Sequence, residues 1–171
     1  MTTQQTVKLR DGREVLIRPI RSEDVDLLIE LHGRLSLASR YFRFFSPQPR
    51  LSRKQAEYFA SVDFDTRVAM VAAVREEATE RIVAVGRFDV VSPDAAEFAL
   101  VVRDDYQGIG LGTALFRCLA EIATRRDIGV LMGIVLPENT VMLHLAERQG
   151  AQRVHQDRSE VVVEKRLRTA S

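Results

Sequence analysis

A glycine-rich segment, Gln107-Gly-Ile-Gly-Leu-Gly112, combines residue types that can bind an anion. It lies between a predicted strand, Ala95 to Val102, and a predicted helix from about Thr113 to Arg126. Glycines let the main chain turn tightly and approach a ligand closely. The N–H groups at a helix start, together with the positive end of the helix dipole, attract phosphate. We therefore predict that this segment binds a phosphate-bearing ligand.

Two common phosphate-binding motifs do not fit the segment. A P-loop requires a lysine directly after its last glycine, whereas Thr113 follows Gly112. A dinucleotide-binding loop requires a third glycine at the position that Thr113 occupies. The pattern that remains is Q-x-x-G-x-G, formed by Gln107, Gly110 and Gly112. A glycine-rich turn without a ligand stays open as an alternative.

Glu97 is the candidate general base, on the strand that leads to the glycine segment. Strand alternation puts Glu97, Ala99 and Val101 on one face. Desolvation among apolar neighbours makes a carboxylate a stronger base at neutral pH. A solvated strand glutamate is the alternative. The three histidines, His32, His144 and His155, are expected to be surface or packing residues.

The elements around these residues follow from periodicity and from capping residues. Six runs have the composition of strands: Glu14 to Ile20, Val68 to Val74, Arg81 to Val90, Ala95 to Val102, Val130 to Leu136 and Val161 to Leu167. Helices are predicted to begin at Ser22, Ser52 and Asn139, besides the one after the glycine segment. The predicted order is β-α-α-β-β-β-α-β-α-β.

Composition narrows the class of protein further. A chain of 171 residues fits one domain. Its 25 Lys and Arg balance 24 Asp and Glu, which argues against a strongly basic nucleic-acid binder. The single cysteine excludes an internal disulfide, and no zinc-ligand spacing occurs, so we expect no metal. No apolar run approaches the ~18–20 residues of a membrane span, and no signal peptide is evident, so we expect a cytoplasmic protein.

The glycine segment resembles the acetyl-CoA-binding motif of the GNAT superfamily of N-acetyltransferases. The order of predicted elements is also that of this family, and Asn139, followed by Met142, Leu145 and Gly150, resembles its second motif. The resemblance implies an α/β (α+β) fold with a mixed, mostly antiparallel sheet of about six to seven strands, flanked by about four helices. It implies a single acetyltransferase domain over residues 1–171, with a core of about 14–167.

The resemblance also implies residue roles, with acetyl-CoA as co-substrate. The loop N–H groups would hold the pyrophosphate, the strand end and Asn139 would contact the pantetheine arm, and Glu97 would deprotonate the amine. The cofactor-binding residues are then Leu100, Val101, Val102, Gln107, Gly108, Ile109, Gly110, Leu111, Gly112, Thr113 and Asn139. A main-chain N–H near Leu100 or Val101 would stabilise the oxyanion. Ala146 stands where many family members have a tyrosine proposed to protonate the thiolate, so that role is unassigned.

The amine acceptor is suggested by a second resemblance. Residues 36–47, with the run Ser39-Arg-Tyr-Phe-Arg-Phe-Phe45, resemble a stretch in Pat-type bacterial protein lysine acetyltransferases. Those enzymes typically acetylate a lysine on acyl-CoA synthetases, so we predict a protein lysine as the acceptor. A small-molecule amine N-acetyltransferase and a non-catalytic acyl-CoA-binding module remain alternatives.

The aromatic and basic side chains of that stretch have two interpretations. The helical spacing of Tyr41, Phe44 and Phe45 favours core packing over a docking surface. Arg40 and Arg43 would either cover that core or meet acidic groups on a partner protein.

Overall fold

An eight-stranded sheet runs through the protein, whose computed structural model describes residues 4–168. The strand order is β1-β2-β3-β4-β5-β6-β8-β7, and every neighbouring pair is antiparallel except β5 and β6. The strands are β1 (Gln5–Lys8), β2 (Glu14–Pro19), β3 (Arg67–Glu76), β4 (Thr79–Ser92), β5 (Ala95–Val102), β6 (Val130–Val135), β7 (Gln152–Gln156) and β8 (Val161–Arg166). The mixed, mostly antiparallel fold predicted from the sequence is therefore confirmed.

Five α-helices and two short 3-10 turns lie within the described residues. The helices are α1 (Val25–Arg34), α2 (Leu37–Phe44), α3 (Arg53–Ala60), α4 (Leu111–Arg125) and α5 (Thr140–Arg148). The 3-10 turns, Ser22–Asp24 and Asp104–Tyr106, precede α1 and the glycine loop. One strand and one helix more than the upper predicted numbers are present. Residues 1–3 and 169–171 of the predicted domain lie outside the described part of the chain.

The predicted capping role of Ser22 is wrong. Ser22 is the first residue of the 3-10 turn, and the carboxylate of Asp24 instead accepts the N–H of Arg21 at 2.8 Å. Asp24 is fixed there by two hydrogen bonds of 2.8 Å from the buried guanidinium of Arg18. A buried ion pair of this kind outweighs a local hydroxyl cap, and it joins the end of β2 to the start of α1.

Two apolar cores cover the two faces of the sheet. On one face, α4 and α5 pack through Leu115, Leu119 and Leu143. On the other face, α1 and α3 pack through residues such as Leu28 and Ala56. Full burial of a leucine side chain stabilises a fold by about 1.5–3 kcal/mol. Because β5 is held from both faces, its position at the middle of the sheet is well defined.

Strands β5 and β6 pair only along their first half. The paired residues end at Glu97, whose Cα partner is Met132. The next residues pack instead of pairing, because the ring of Phe98 lies where a side chain at Gly133 would be, 2.5 Å from the ideal Cβ position. The two strands therefore part beyond Glu97 and leave an opening in the sheet.

No helix among residues 4–168 is long and apolar enough to cross a membrane.

Candidate active site

The opening between β5 and β6 continues into a cleft of about 430 Å³. The end of β5, the glycine loop and the first turn of α5 line it on three sides, and α2 borders the fourth. Nine of the predicted cofactor-binding residues contribute to this lining: Leu100, Val101, Val102, Gln107, Gly108, Gly110, Gly112, Thr113 and Asn139. The structure thus brings together most of the predicted residues.

Two of the loop glycines adopt backbone angles that favour glycine. Gly108 has φ +74° and Gly110 has φ +98°, and a Cβ at either position would point into open space. Gly110 is the residue at which α4 begins, and Ala114 donates the first helical hydrogen bond to its carbonyl. The N–H groups of Leu111, Gly112 and Thr113 therefore have no acceptor within the helix. These groups are the predicted anion site, and they lie at the cleft wall.

The end of β5 exposes main-chain groups to the cleft. The main-chain N–H of Arg103 donates to the carbonyl of Val83 on β4. Because N–H groups along an antiparallel strand point alternately to its two sides, the N–H of Val101 also points toward β4. The N–H groups of Leu100 and Val102 consequently point to the opposite side, where β6 has moved away. This parity distinguishes the two residues that the sequence left equivalent, because Leu100 and not Val101 offers its N–H to the opening.

Asn139 caps α5, as predicted, and it also borders the cleft. Its side-chain oxygen accepts the N–H of Met142 at 3.2 Å, which caps α5. The amide nitrogen of the same side chain makes no hydrogen bond with residues 4–168, and Asn139 borders the cleft. A donor is therefore available to a ligand that lies along β5. Ala146, at the position of the family's tyrosine, is fully buried.

The glycine loop is held from outside by the turn between β1 and β2. The guanidinium of Arg10 donates to the carbonyl of Gly108 at 2.8 Å, and its main-chain N–H donates to Ile109 at 3.1 Å. Arg13 donates to the carbonyl of Asp105 at 2.7 Å and stacks on the ring of Tyr106. Arg10 also lines the cleft, so it adds a positive charge beside the anion site.

Helix α2 is fastened to the same loop by a polar network. The carboxylate of Asp104 accepts hydrogen bonds from the N–H and hydroxyl of Ser36, at 3.0 and 2.8 Å, and from the hydroxyl of Ser39 at 3.1 Å. Although partial burial opposes it, these hydrogen bonds lower the pKa of Asp104. The amide of Gln107 donates to Ser39 at 3.2 Å and to the carbonyl of Val102 at 2.9 Å.

The charged residues of the cleft are mostly basic. Arg10, Arg43 and Arg148 line it, together with His144, whereas Asp104 is the one acid in the lining and is already hydrogen-bonded to the two serines. A positive lining suits a ligand that carries phosphates. His144 is exposed, as predicted, but it also borders the cleft.

Glu97 does not line the cleft itself. It lies half-buried at the point where β5 leaves β6, on the face of β5 that also carries Val101. Its Cα partner on β4 is Asp89, a second carboxylate that the sequence did not single out. Three residues of strand span about 10 Å, so Glu97 is farther from a group placed near Leu100 than one bridging water can span.

Two of the predicted cofactor-binding residues, Ile109 and Leu111, do not line the cleft. Leu111 is fully buried in the core, and the side chain of Ile109 packs against that core. Only their main-chain groups belong to the loop. The lining residues that sequence reasoning did not assign to the site are Arg10, Ala38, Ser39, Phe42, Arg43, Asp104, Val141, Met142, His144, Leu145 and Arg148. The Asp11-Gly12 turn and the capping hydroxyl of Ser36 were available signals for Arg10 and Ser39.

The prediction that the aromatic side chains at Tyr41, Phe44 and Phe45 pack in the core is correct for only one of the three. Phe44 packs against His32 and Phe59, with ring centroids 5.4 and 6.2 Å away, as core packing requires. Tyr41 and Phe45 are 42% and 44% exposed, so the prediction that they belong to the core is wrong. Both are turned outward because α2 lies at the edge of the core and contacts it along one side only.

A separate cluster of possible metal ligands lies in the turn between β7 and β8. The ligand atoms of His155, Asp157 and Glu160 are within 4.8 Å of one another. The carboxylate of Asp157 is already hydrogen-bonded to Ser159 and to the main chain of Glu160. It is part of a turn structure at the far edge of the sheet.

Comparison with known proteins identifies the class that this fold and cleft define. The Acetyltransferase (GNAT) domain family matches residues 14–152. The chain therefore belongs to the GNAT acetyltransferases and is an N-acetyltransferase that uses acetyl-CoA as its co-substrate.

Particular relatives share more than the family pattern. A curated acetyltransferase of Pseudomonas aeruginosa is 33% identical over 90% of this chain and 84% of its own length. Acetyltransferase Pat of Mycolicibacterium smegmatis is 31% identical over 92% of this chain, which spans 47% of that protein. The crystal structure of the GNAT domain of S. lividans PAT is 32% identical, with a TM-score of 0.87 over 96% of this chain and 97% of that domain.

Proposed function

We propose that this enzyme transfers the acetyl group of acetyl-CoA to the side-chain amine of a lysine on another protein, such as an acyl-CoA synthetase. The observation that carries the proposal is the character of the cleft beside α2. The cleft is open, and its lining offers no free carboxylate that would attract a polyamine or an amino sugar. Pat-type enzymes, which this chain resembles, act on protein lysines.

The outer surface of α2 supports a large acceptor. Leu37, Tyr41 and Phe45 follow one another at helical spacing and are all exposed. Val141, across the mouth of the cleft, is 67% exposed. Exposed apolar side chains on an element that borders a cleft suit contact with a folded protein surface better than with a small polar amine.

The geometry of the loop and the strand supports a specific position for the cofactor. The pyrophosphate lies on the N–H groups from Gly108 to Thr113, beside Arg10. The pantetheine arm lies along Leu100 and Val102, where it receives main-chain hydrogen bonds as an added strand would. Asn139 donates its free amide hydrogens from the other side. These contacts direct the thioester toward the point where β5 and β6 part.

Side-chain and main-chain groups of the protein then assist the transfer of the acetyl group. A lysine amine has a pKa of about 10.4 and arrives protonated. Glu97 takes up that proton through a short chain of waters, because it lies about 10 Å along the strand from Leu100. The neutral amine then attacks the thioester carbonyl. The N–H of Leu100 donates to the oxygen of the thioester carbonyl as negative charge develops there. Ala146 supplies no acid, so the CoA thiolate leaves without a dedicated proton donor on α5.

The experiment is acetylation of a bacterial lysate with labelled acetyl-CoA, read by mass spectrometry, beside a panel of polyamines and amino sugars. The Glu97→Gln variant is the matched control. The proposal expects label on protein lysines, largely lost in the variant. Efficient labelling of a small amine with no protein lysine labelled above the control would contradict it.

A further inference from the structure

Arg43, in the last turn of α2, is a half-buried cation that lacks a direct partner. Its guanidinium stacks on the ring of Phe44, 4.9 Å from the centroid, yet it makes no hydrogen bond or ion pair with any of residues 4–168. Burial lowers the pKa of Arg43, and the charges of Asp89 and Glu97 only partly offset this effect. A charge partly withdrawn from water without a partner costs free energy, and the end of a short helix provides only a partial negative charge.

The charges around Arg43 do not balance. Arg67 Nε lies 3.9 Å from Asp89 Oδ1, so the charges of these two side chains offset each other. Arg87 is buried, binds the carbonyl of Phe59 at 2.8 Å, and has no carboxylate within ion-pair distance in the described chain. Burial and the nearby charge of Arg43 lower the pKa of Arg87 to about 10. Three guanidiniums therefore face two carboxylates, Asp89 and Glu97, which leaves one positive charge in excess.

Arg43 lies at the acceptor end of the cleft and not at the phosphate end. It forms part of the cleft wall and also of a small apolar cavity of about 50 Å³ under α1 to α3, where Val85, Arg87 and Val101 are its neighbours. The phosphate site is built by the loop after Val102, next to the opposite end of α2, where Ser39 is bound. The phosphates of acetyl-CoA therefore do not neutralise Arg43.

We propose that Arg43 binds a carboxylate that the acceptor carries close to its reacting amine. The proposal rests on the proposed transfer to an amine and adds the chemistry that selects the amine. A guanidinium matches a carboxylate with two parallel hydrogen bonds. Such a contact would hold the amine at a fixed distance from the thioester, beside Glu97. An acidic residue next to the target lysine and the α-carboxylate of a free amino acid supply the same group.

The test compares acceptors that differ only in the charge near the amine. One arm uses blocked peptides with a single lysine, in which a glutamate or a glutamine is placed in turn at each near position. The other arm compares Nα-acetyl-lysine with its amide. Rates are measured for the wild-type protein, for Arg43→Gln and Arg43→Lys, and for Arg50→Gln as a control, because Arg50 is exposed and outside the cleft.

The proposal expects kcat/KM to be about ten- to a hundredfold higher for the carboxylate member of at least one pair, as hydrogen bonds to charged groups provide. Arg43→Gln should remove this preference while acetylation of the neutral member changes little, and Arg43→Lys should restore part of it. The arm that shows the preference identifies its source.

Two results would overturn the inference. The first is a wild-type enzyme that acetylates both members of every pair equally. The second is a loss of kcat/KM in Arg43→Gln that is equal for charged and neutral acceptors, since that result would show that Arg43 acts on the thioester and not on the acceptor. Failure of the proposed transfer is distinguishable, because no peptide and no lysine derivative would then be acetylated by the wild type.

Discussion

The side-chain amide of Gln107 lies 3.2 Å from the hydroxyl of Ser39, and this contact joins helix α2 to the loop that we propose receives the cofactor. The same amide holds the carbonyl of Val102, and the same hydroxyl donates to Asp104. The acceptor side and the cofactor side of the cleft therefore share one hydrogen-bond network. A change on either side is expected to affect binding on the other.

Ser39→Ala should weaken acetyl-CoA binding although Ser39 lies on the acceptor helix. A hydrogen bond of this kind contributes about 0.5–1.5 kcal/mol, so KM for acetyl-CoA should rise about two- to tenfold. Steady-state kinetics, with Ser46→Ala as the exposed control on the same segment, measures the effect. An unchanged KM for acetyl-CoA in a folded Ser39→Ala protein would show that the network does not couple the two sides.

Glu97→Gln should lower kcat by about 10²–10³, because general bases contribute on this scale, while acetyl-CoA binding is kept. Asp89→Asn is the matched control, since Asp89 is the Cα partner of Glu97 on β4 and is already beside Arg67. Single-turnover rates with excess acetyl-CoA separate chemistry from binding. An equal or larger loss of kcat in Asp89→Asn would show that Glu97 is not the general base.

Gly110→Ala should reduce acetyl-CoA affinity beyond its effect on stability. The added methyl group would meet no protein atom within 4 Å at this cleft-lining position, and the backbone angle of +98° makes an alanine strained by about 1–2 kcal/mol. Gly150→Ala carries similar strain at φ +92° on the far side of α5, against the flexible tip of Lys165. Calorimetric titration should show weaker binding for Gly110→Ala alone. Equal affinities of the two variants for acetyl-CoA would show that the loop does not bind the phosphates.

Acid should destabilise the protein partly through Arg103. The buried guanidinium of Arg103 binds Glu76 at 2.5 Å and Asp105 at 2.7 Å, and these hydrogen bonds lower the pKa of both carboxyls. A carboxyl whose pKa is lower in the folded protein stabilises the fold at pH values above its unfolded pKa of about 4. This stabilisation is lost as the pH falls through the folded-state pKa.

Arg103→Met should therefore cost about 1–3 kcal/mol at neutral pH and should flatten the fall in unfolding free energy below about pH 4. Urea unfolding at a series of pH values measures both effects. Arg125→Met, which breaks an exposed pair with Glu121, is the control and should leave the pH dependence unchanged. The same acid slope in Arg103→Met and in the wild type would contradict the assignment.

The sequence predicted the parts of the site that depend on local backbone requirements. Gly108 and Gly110 have positive φ angles, and Asn139 caps a helix, so each signal was contained within a few residues. The central strands were predicted because burial on both faces gives them continuous apolar runs. Strand β7 has only exposed residues, and it carried no such signal.

Contacts between distant segments could not be predicted. Ser36 and Asp104 are 68 residues apart in the chain, and the position of Arg43 between a cleft and a cavity depends on how three helices meet the sheet. The choice between Leu100 and Val101 as the donor into the opening depended on the pairing parity with β4, which periodicity alone leaves undetermined.

A crystal structure of the protein with acetyl-CoA tests the central claim most directly. The pyrophosphate is expected on the N–H groups between Gly108 and Thr113, and the pantetheine arm along Leu100 and Val102. The thioester oxygen is expected within hydrogen-bonding distance of the Leu100 N–H, on the side of the opening that Glu97 borders. Cofactor density outside the opening, or a thioester directed away from Glu97, would contradict the account.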